Sequence, residues 1–205
     1  MQEEVEQLQV QMQDLLPKKR FWHTVGVRYT AEALAMRYDV DIDQAGIAGV
    51  LHDCAKYMTG EKMYEKCLKY QIAVTEVEKN NPELLHAKLG AYFAEHKYGI
   101  KEPGILSAIR WHTTGKEDMS PLEQIVFLAD YIEPHRKRIP GLEEIRRMAF
   151  VDLEEAVYLT MKNTVSYLEG QAEKTGKKLF DPATQAAYRY YEAKRKKAMK
   201  DNAGK

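Results

Sequence analysis

The sequence predicts an all-α protein that folds as a compact helical bundle. Apolar residues recur at spacings of three and four along nearly the whole chain, and no run alternates strictly between apolar and polar residues. Recognisable helix-start signals precede many of these segments. With 205 residues, of which 44% are hydrophobic and 30% charged, the chain can bury a substantial core.

The first half of the chain contains five predicted helices. Residues 2–16 carry Val5, Leu8, Met12 and Leu15 on one amphipathic stripe, and Pro17 ends this first helix or kinks it. Helices are then expected over about 19–38, 43–57 and 59–70, the last with Thr59 as its N-cap. A fifth helix should run from the pair at 81–82, with its proline in the first turn, to about residue 99.

The second half continues the helical pattern. A helix is expected from Pro103 to about Gly115, and Ser120-Pro121-Leu122-Glu123 forms a capping box that starts the next, which ends by Pro134. Two further helices should span about 152–173 and begin near 181–182. We therefore divide the chain into an N-terminal helical extension (1–17), a main domain (18–181), and a C-terminal helix with a basic tail (182–205).

Composition excludes several classes of protein. Lysine plus arginine equals aspartate plus glutamate at 31 each, so the chain has no overall basic field and a nucleic-acid partner is not expected. Only two cysteines, Cys54 and Cys67, occur, which excludes a disulfide scaffold and favours the cytoplasm. No apolar run is long enough to span a membrane, and the acidic start MQEEVEQLQV does not resemble a signal peptide.

Four of the six histidines lie on inward-facing stripes of four different predicted helices: His23, His52, His86 and His112. For a single buried histidine, a hydrogen-bonded core residue is the simpler interpretation. Four such residues each need a buried partner, and one shared metal can serve several of them. The pattern therefore indicates a metal site between helices.

Two aspartates support a metal site. Asp53 directly follows His52, while Gly46 and Gly49 before it leave room for another element to approach closely. Asp130 ends the apolar run Ile125–Ala129, where a carboxylate should be paired or bound to metal. For Asp130 alone, a buried salt bridge or a helix-end cap stays an alternative. Mixed imidazole and carboxylate ligands suit iron, manganese, cobalt, nickel or zinc.

The ordered set H…HD…D resembles the metal site of the HD-domain phosphohydrolases. The segments HDCAKYMTG, LLHAKLGA, RWHTTG and VFLADYIEPHRKRIPGLEEIR are similar to the YqeK-type symmetrical diadenosine tetraphosphate hydrolases. This resemblance covers about 19–181. It implies that 18–181 is an HD-domain helical bundle whose metal-activated water cleaves diadenosine tetraphosphate into two ADP molecules.

The resemblance also implies roles for individual residues. His23, His52, Asp53 and Asp130 match the core metal ligands, while His86 and His112 complete a second metal site or contact phosphate. Iron is the first choice of metal, manganese or cobalt the alternatives, with one or two ions. Asp53, Lys56, His86 and His112 are the expected catalytic residues, and a homodimer is expected.

Six residues are candidates for binding substrate: Lys56, His86, His112, Thr113, Arg136 and Lys177. The alternative for Lys56 is a solvated lysine at a helix end, and for Arg136 an exposed basic turn. Lys177 belongs to Thr175-Gly176-Lys177-Lys178, which lacks the spacing of a phosphate loop, and a helix C-cap is the favoured alternative there.

Other functions stay open at the level of sequence. One is a different HD-type nucleotidase or phosphodiesterase, and another is a metal-containing regulatory module that binds nucleotides. A protein that binds RNA through its basic tail ranks last, because the net charge is zero.

Overall fold

The computed structural model describes residues 2–137, 139–175 and 181–203, and this part of the chain contains α-helices, one 3-10 turn at 82–84, and no β-strand. The all-α prediction is therefore confirmed. The helices are α1 Gln2–Leu15, α2 Lys18–Arg37, α3 Ile42–Leu51, α4 Gly60–Lys69, α5 Glu76–Asn80, α6 Leu85–His96, α7 Pro103–Trp111, α8 Pro121–Ile132, α9 Leu142–Met148, α10 Leu153–Thr175 and α11 Pro182–Ala203.

Helix α3 lies at the centre of the bundle. It begins at the N-cap Asp41, whose side chain accepts a hydrogen bond from the Gln44 backbone N–H, and all its residues from Ala45 to Leu51 are buried. Helices α1, α2, α7 and α8 all pack against it. A helix that is apolar on every side is stable only when neighbours surround it in this way.

The amphipathic helix α1 packs on the bundle. Its stripe residues Val5, Leu8 and Met12 are buried, and Gln9 accepts a hydrogen bond of 2.8 Å from the buried guanidinium of Arg28 on α2. The apolar stripe that sequence analysis identified therefore covers part of this chain's own core.

Helix α3 is shorter than predicted, ending at Leu51 rather than near residue 57. The chain then tightens into turns, in which Cys54 N–H donates to the Leu51 carbonyl and Lys56 N–H to the Asp53 carbonyl. Helix α7 similarly ends at Trp111, short of the predicted Gly115. Because His52 and His112 follow these ends directly, the turns aim both imidazoles at one point.

Two short helices were not predicted, α5 with five residues and α9 with seven. Neither is long enough to display a repeated apolar stripe, so hydrophobic periodicity could not reveal them. Helices α10 and α11 pack together, and α10 also packs on α8. None of the helices in the described ranges has the length and hydropathy required to cross a bilayer.

Candidate metal centre

Five helices bring the six predicted metal-site and phosphate-site residues together at one buried point. His23 lies on α2, His86 on α6 and Asp130 near the end of α8, while His52-Asp53 and His112 directly follow α3 and α7. The four histidines and Asp53 are buried, and the side chain of Asp130 is one-fifth exposed. The sequence prediction that these histidines face inward is confirmed.

One half of the centre is formed by His23, His52 and Asp130. Nε2 of His23 lies 3.0 Å from Oδ1 of Asp130, and Nε2 of His52 lies 3.9 Å from the same oxygen. Their three ligand atoms lie within 4.8 Å of one another, close enough to hold one metal ion.

Asp53 connects this half to the second pair of histidines. Its Oδ2 lies 3.4 Å from His52 Nε2 and 3.8 Å from His23 Nε2. Its Oδ1 lies 3.4 Å from His86 Nε2 and 3.9 Å from His112 Nε2. One carboxylate therefore faces four imidazoles, with a different oxygen toward each pair.

The histidines are oriented by contacts on the far side of each ring. Nδ1 of His52 lies 2.7 Å from the Gly49 carbonyl oxygen, Nδ1 of His112 lies 2.7 Å from the Ile109 carbonyl, and Nδ1 of His86 meets the carbonyl of Glu83. Because a carbonyl can only accept, each Nδ1 must carry the proton. This leaves Nε2, on the opposite side of each ring, facing the centre, as in metal-binding histidines.

His23 is oriented by a carboxylate that the sequence analysis missed. Oε1 of Glu133 lies 3.1 Å from His23 Nδ1, and the other carboxylate oxygen accepts a 2.6 Å hydrogen bond from the His135 backbone N–H. Glu133 is almost completely buried at the end of α8. A signal was present, because Glu133 follows Asp130 by three residues and so shares its helix face.

The polar atoms of the centre fit a metal ion. Among the described residues, few buried side-chain atoms lack a hydrogen-bond partner, and Nε2 of His52 is one of them. Buried nitrogens without partners are costly unless something binds them. Nε2 of His86 and Nε2 of His112 also face each other at 3.1 Å, and a cation would relieve the repulsion between their lone pairs.

Electrostatics give the histidines of the centre different protonation states. Burial lowers the pKa of His86 to about 3 and that of His112 to about 4, so both rings are neutral. Burial alone would raise the pKa of Asp53, but the imidazoles of His52, His86 and His112 hold it well below its usual range. Burial opposes protonation of His23 too, yet Asp130 and Glu133 outweigh it and raise its pKa to about 9. His23 is therefore protonated at neutral pH and must lose a proton before its ring can bind a metal ion.

A close approach of α2 and α3 positions the two halves of the ligand set. A methyl group on Gly49 would lie 2.9 Å from the Arg28 Cα atom on α2, nearer than carbon atoms normally approach. The absence of a side chain at Gly49 therefore lets the helix of His23 lie directly against the helix that precedes His52. This confirms the close approach expected from the sequence.

Three predicted substrate residues surround the centre. Thr113 Oγ1 lies 3.0 Å from Nε2 of both His86 and His112, and the half-exposed Arg136 reaches within 3.9 Å of Asp130. The ammonium of Lys56 is 3.2 Å from the Glu83 carboxylate at the edge of the centre.

Two cationic residues differ from the sequence prediction in how the structure bears on them. Lys177 lies outside the described residues. Conversely, Arg20 was not predicted, although its Nη1 donates a 2.7 Å hydrogen bond to Oδ2 of Asp53. Its spacing of three residues before His23 places it on the same face of α2, which is the signal that could have identified it.

Comparison with known proteins identifies the family. The HD-domain family profile matches residues 20–135. The chain is 40% identical over 153 residues to the symmetrical bis(5'-nucleosyl)-tetraphosphatase of Bacillus subtilis, covering 75% of this chain and 81% of that protein. It is 41% identical over 155 residues to the enzyme of the same name from Staphylococcus aureus, covering 75% and 79% respectively.

A solved structure has the same fold. The crystal structure of a predicted HD superfamily hydrolase involved in NAD metabolism, from Clostridium acetobutylicum, superposes with a TM-score of 0.85 at 34% identity. The superposition covers 92% of this chain and 97% of that one. By its sequence and its fold, the chain belongs to the HD-domain family, alongside the symmetrical bis(5'-nucleosyl)-tetraphosphatases.

Proposed function

We propose that this protein is a metal-dependent hydrolase that cleaves diadenosine tetraphosphate symmetrically into two ADP molecules. The observation that carries the proposal is the convergence of four buried imidazoles on the carboxylates of Asp53 and Asp130. The substrate class comes from relatives about 40% identical over most of the chain, which are named for this symmetrical activity.

The metal ligands in this proposal are His23, His52, Asp53 and Asp130. Iron is our first choice, with manganese or cobalt as alternatives, because mixed nitrogen and carboxylate ligands suit these ions. Such an ion, when bound, lowers the pKa of a water ligand toward neutrality and neutralises charge on the phosphate. Glu133 contributes by fixing the ring of His23 through its Nδ1 contact.

His86 and His112 either hold a second ion or bind phosphate directly. Their neutral state supports the first role, since both Nε2 atoms offer lone pairs at 3.1 Å from each other. Thr113 Oγ1, 3.0 Å from each Nε2, can donate its single proton to one ring or to a phosphate oxygen. Either use places the scissile phosphate beside this pair of histidines.

Cationic residues should bind the polyphosphate chain. Phosphoryl transfer depends mainly on positioning and on neutralising charge, so cations near the metal contribute directly. Lys56, a proposed catalytic residue as well, contacts the carboxylate and the backbone carbonyl of Glu83 at 3.2 and 3.4 Å. Because the Glu83 carboxylate is 58% exposed, the ammonium of Lys56 can exchange it for a phosphate oxygen. Arg136 is the second cation of this proposal, and Lys177 a third.

We further propose a homodimer that works in the cytoplasm. Both cysteines, Cys54 and Cys67, are free thiols, which suits a reducing compartment. Residues 18–181 would form the hydrolase domain, with 1–17 and 182–205 as additions to it. Light scattering of the purified protein tests the dimer, since a mass of one chain, 23.7 kDa, would contradict it.

Product analysis tests the proposed reaction. Protein purified without chelators is incubated with diadenosine tetraphosphate, and the nucleotides are separated by chromatography. ADP as the sole product supports symmetrical cleavage. AMP plus ATP would refute the cleavage position, and no cleavage with manganese, cobalt or ferrous iron added would refute the substrate.

A further inference from the structure

We infer that Arg20 binds the polyphosphate chain of the substrate and is held on Asp53 until metal and substrate arrive. The inference rests on the proposed function, because it assigns Arg20 to a phosphate-containing ligand. Arg20 is the residue that contacts Asp53 most closely among the described ion pairs, with Nη1 2.7 Å from Oδ2.

Arg20 and a bound metal ion would compete for one oxygen of Asp53. Oδ2 of Asp53, which accepts from Arg20, is also the oxygen that faces Nε2 of His23 and of His52. A metal ion held by these two histidines and Asp53 would share that carboxylate with a guanidinium of the same charge sign. Charge repulsion between the two cations then favours release of Arg20 from Asp53.

Arg20 lies where its guanidinium can turn from Asp53 toward solvent. Its side chain is 36% exposed, so it lies at the rim of the centre rather than inside it. Its Nη2 and Nε make no hydrogen bond within the described part of the chain. A guanidinium offers planar paired donors that match phosphate oxygens, so the free edge of Arg20 suits an anion arriving from solvent.

The helical turn that contains Arg20 is positively charged. Lys18, Lys19 and Arg20 form the first turn of α2, which has no acidic residue and no side-chain cap from Pro17. Cations at a helix N-terminus oppose the helix dipole, and acidic residues are the usual occupants. Lys18 and Lys19 are exposed and have no described ion pair, so this turn adds positive potential beside Arg20.

Together these observations assign the first turn of α2 to the polyphosphate. A bound metal ion would replace Arg20 as the positive partner of the Asp53 carboxylate. The phosphates of a dinucleoside polyphosphate would then offer Arg20 a new negative partner. Arg20 is therefore a substrate-binding residue that balances Asp53 while the centre lacks metal.

The test measures metal binding and nucleotide binding separately in Arg20→Gln, Arg20→Met and Arg20→Lys. Chelator-stripped protein is titrated with Mn²⁺ by calorimetry, and the Mn²⁺-loaded protein is titrated with ADP. We expect the Gln and Met variants to keep or increase Mn²⁺ affinity while ADP affinity falls at least about tenfold, the usual effect of losing a charged hydrogen bond. The Lys variant should restore part of the ADP affinity.

The matched control is Arg189→Met, which removes an exposed arginine on α11 and should change neither affinity. Lower Mn²⁺ affinity with unchanged ADP affinity would overturn the inference, since Arg20 would then only orient Asp53. An equal fall in both affinities, no change in either, or no ADP binding by the unmodified protein would also overturn it. If ADP binds through Arg20 but diadenosine tetraphosphate is not cleaved, the proposed function fails and this inference stands.

Discussion

The contact between α2 and α3 at Gly49 makes metal binding sensitive to a single added methyl group. In Gly49→Ala the new Cβ would lie 2.9 Å from Arg28 Cα and 3.2 Å from Arg28 N. Since carbon atoms normally approach to about 3.5 Å or more, the two helices must separate by roughly 0.6 Å. Ligand distances in metal sites tolerate about 0.2 Å. The separation of His23 from His52 should therefore lower metal affinity at least about tenfold.

The folded protein should be only modestly destabilised by Gly49→Ala. Overpacking of this kind costs about 1–3 kcal/mol, and the better helix propensity of alanine offsets about 1 kcal/mol of it. At roughly 2–4 °C per kcal/mol, the Tm of the metal-free protein should fall by no more than about 8 °C.

Calorimetric titration of chelator-stripped protein with Mn²⁺ measures the affinity, and circular dichroism measures the Tm. Gly170→Ala is the matched control, because no atom would lie within 4 Å of the methyl group that it adds, and it should leave metal affinity unchanged. Wild-type affinity in Gly49→Ala would refute the claim that this helix contact positions the ligands.

Three further changes probe the centre and its surroundings. Glu133→Ala removes the partner of His23 Nδ1 and should lower metal affinity about 10- to 100-fold by titration, and an unchanged affinity would remove Glu133 from the site. Lys56→Met should lower kcat/KM for diadenosine tetraphosphate while metal content by elemental analysis stays constant, with the exposed Lys62→Met as control. Metal added at 100 times its Kd should stabilise the folded protein by about 2.7 kcal/mol and raise the Tm by roughly 5–10 °C, whereas an equal Tm with and without metal would contradict binding to the folded centre.

The helices that build the core could be predicted from the sequence because they are long enough to show a repeated apolar spacing. The run on α3 and the stripe of α1 both follow helical spacing, and Pro121 with its capping box marks the start of α8. The short helices α5 and α9 hold only one or two turns, which is too few for periodicity. Helix ends depend on tertiary contacts, so the end of α3 at Leu51 was placed six residues too late.

The sequence predicted those site residues whose side chains cost much free energy to bury without a partner. A histidine or aspartate on an apolar stripe requires a partner, and this argument found the six residues that converge. Arg20 and Glu133 escaped it, because an arginine in a basic first turn and a glutamate before a proline both suggest surface residues. The spacing of three residues to His23 and to Asp130 placed Arg20 and Glu133 on the correct helix faces, but only the distances between helices show which atoms they contact.

The central claim is that this cluster holds the ion required for hydrolysis. Adding metal back to stripped protein tests that claim most directly. Increasing equivalents of Mn²⁺, Co²⁺ or ferrous iron are added to stripped protein, and ADP formation from diadenosine tetraphosphate is measured against bound metal. The account predicts that stripped wild-type protein forms no ADP and that the rate of ADP formation rises in proportion to the metal it binds. His52→Ala should bind little metal and should form little ADP at any metal concentration. ADP formation by the fully stripped protein, or by His52→Ala at the wild-type rate, would contradict it.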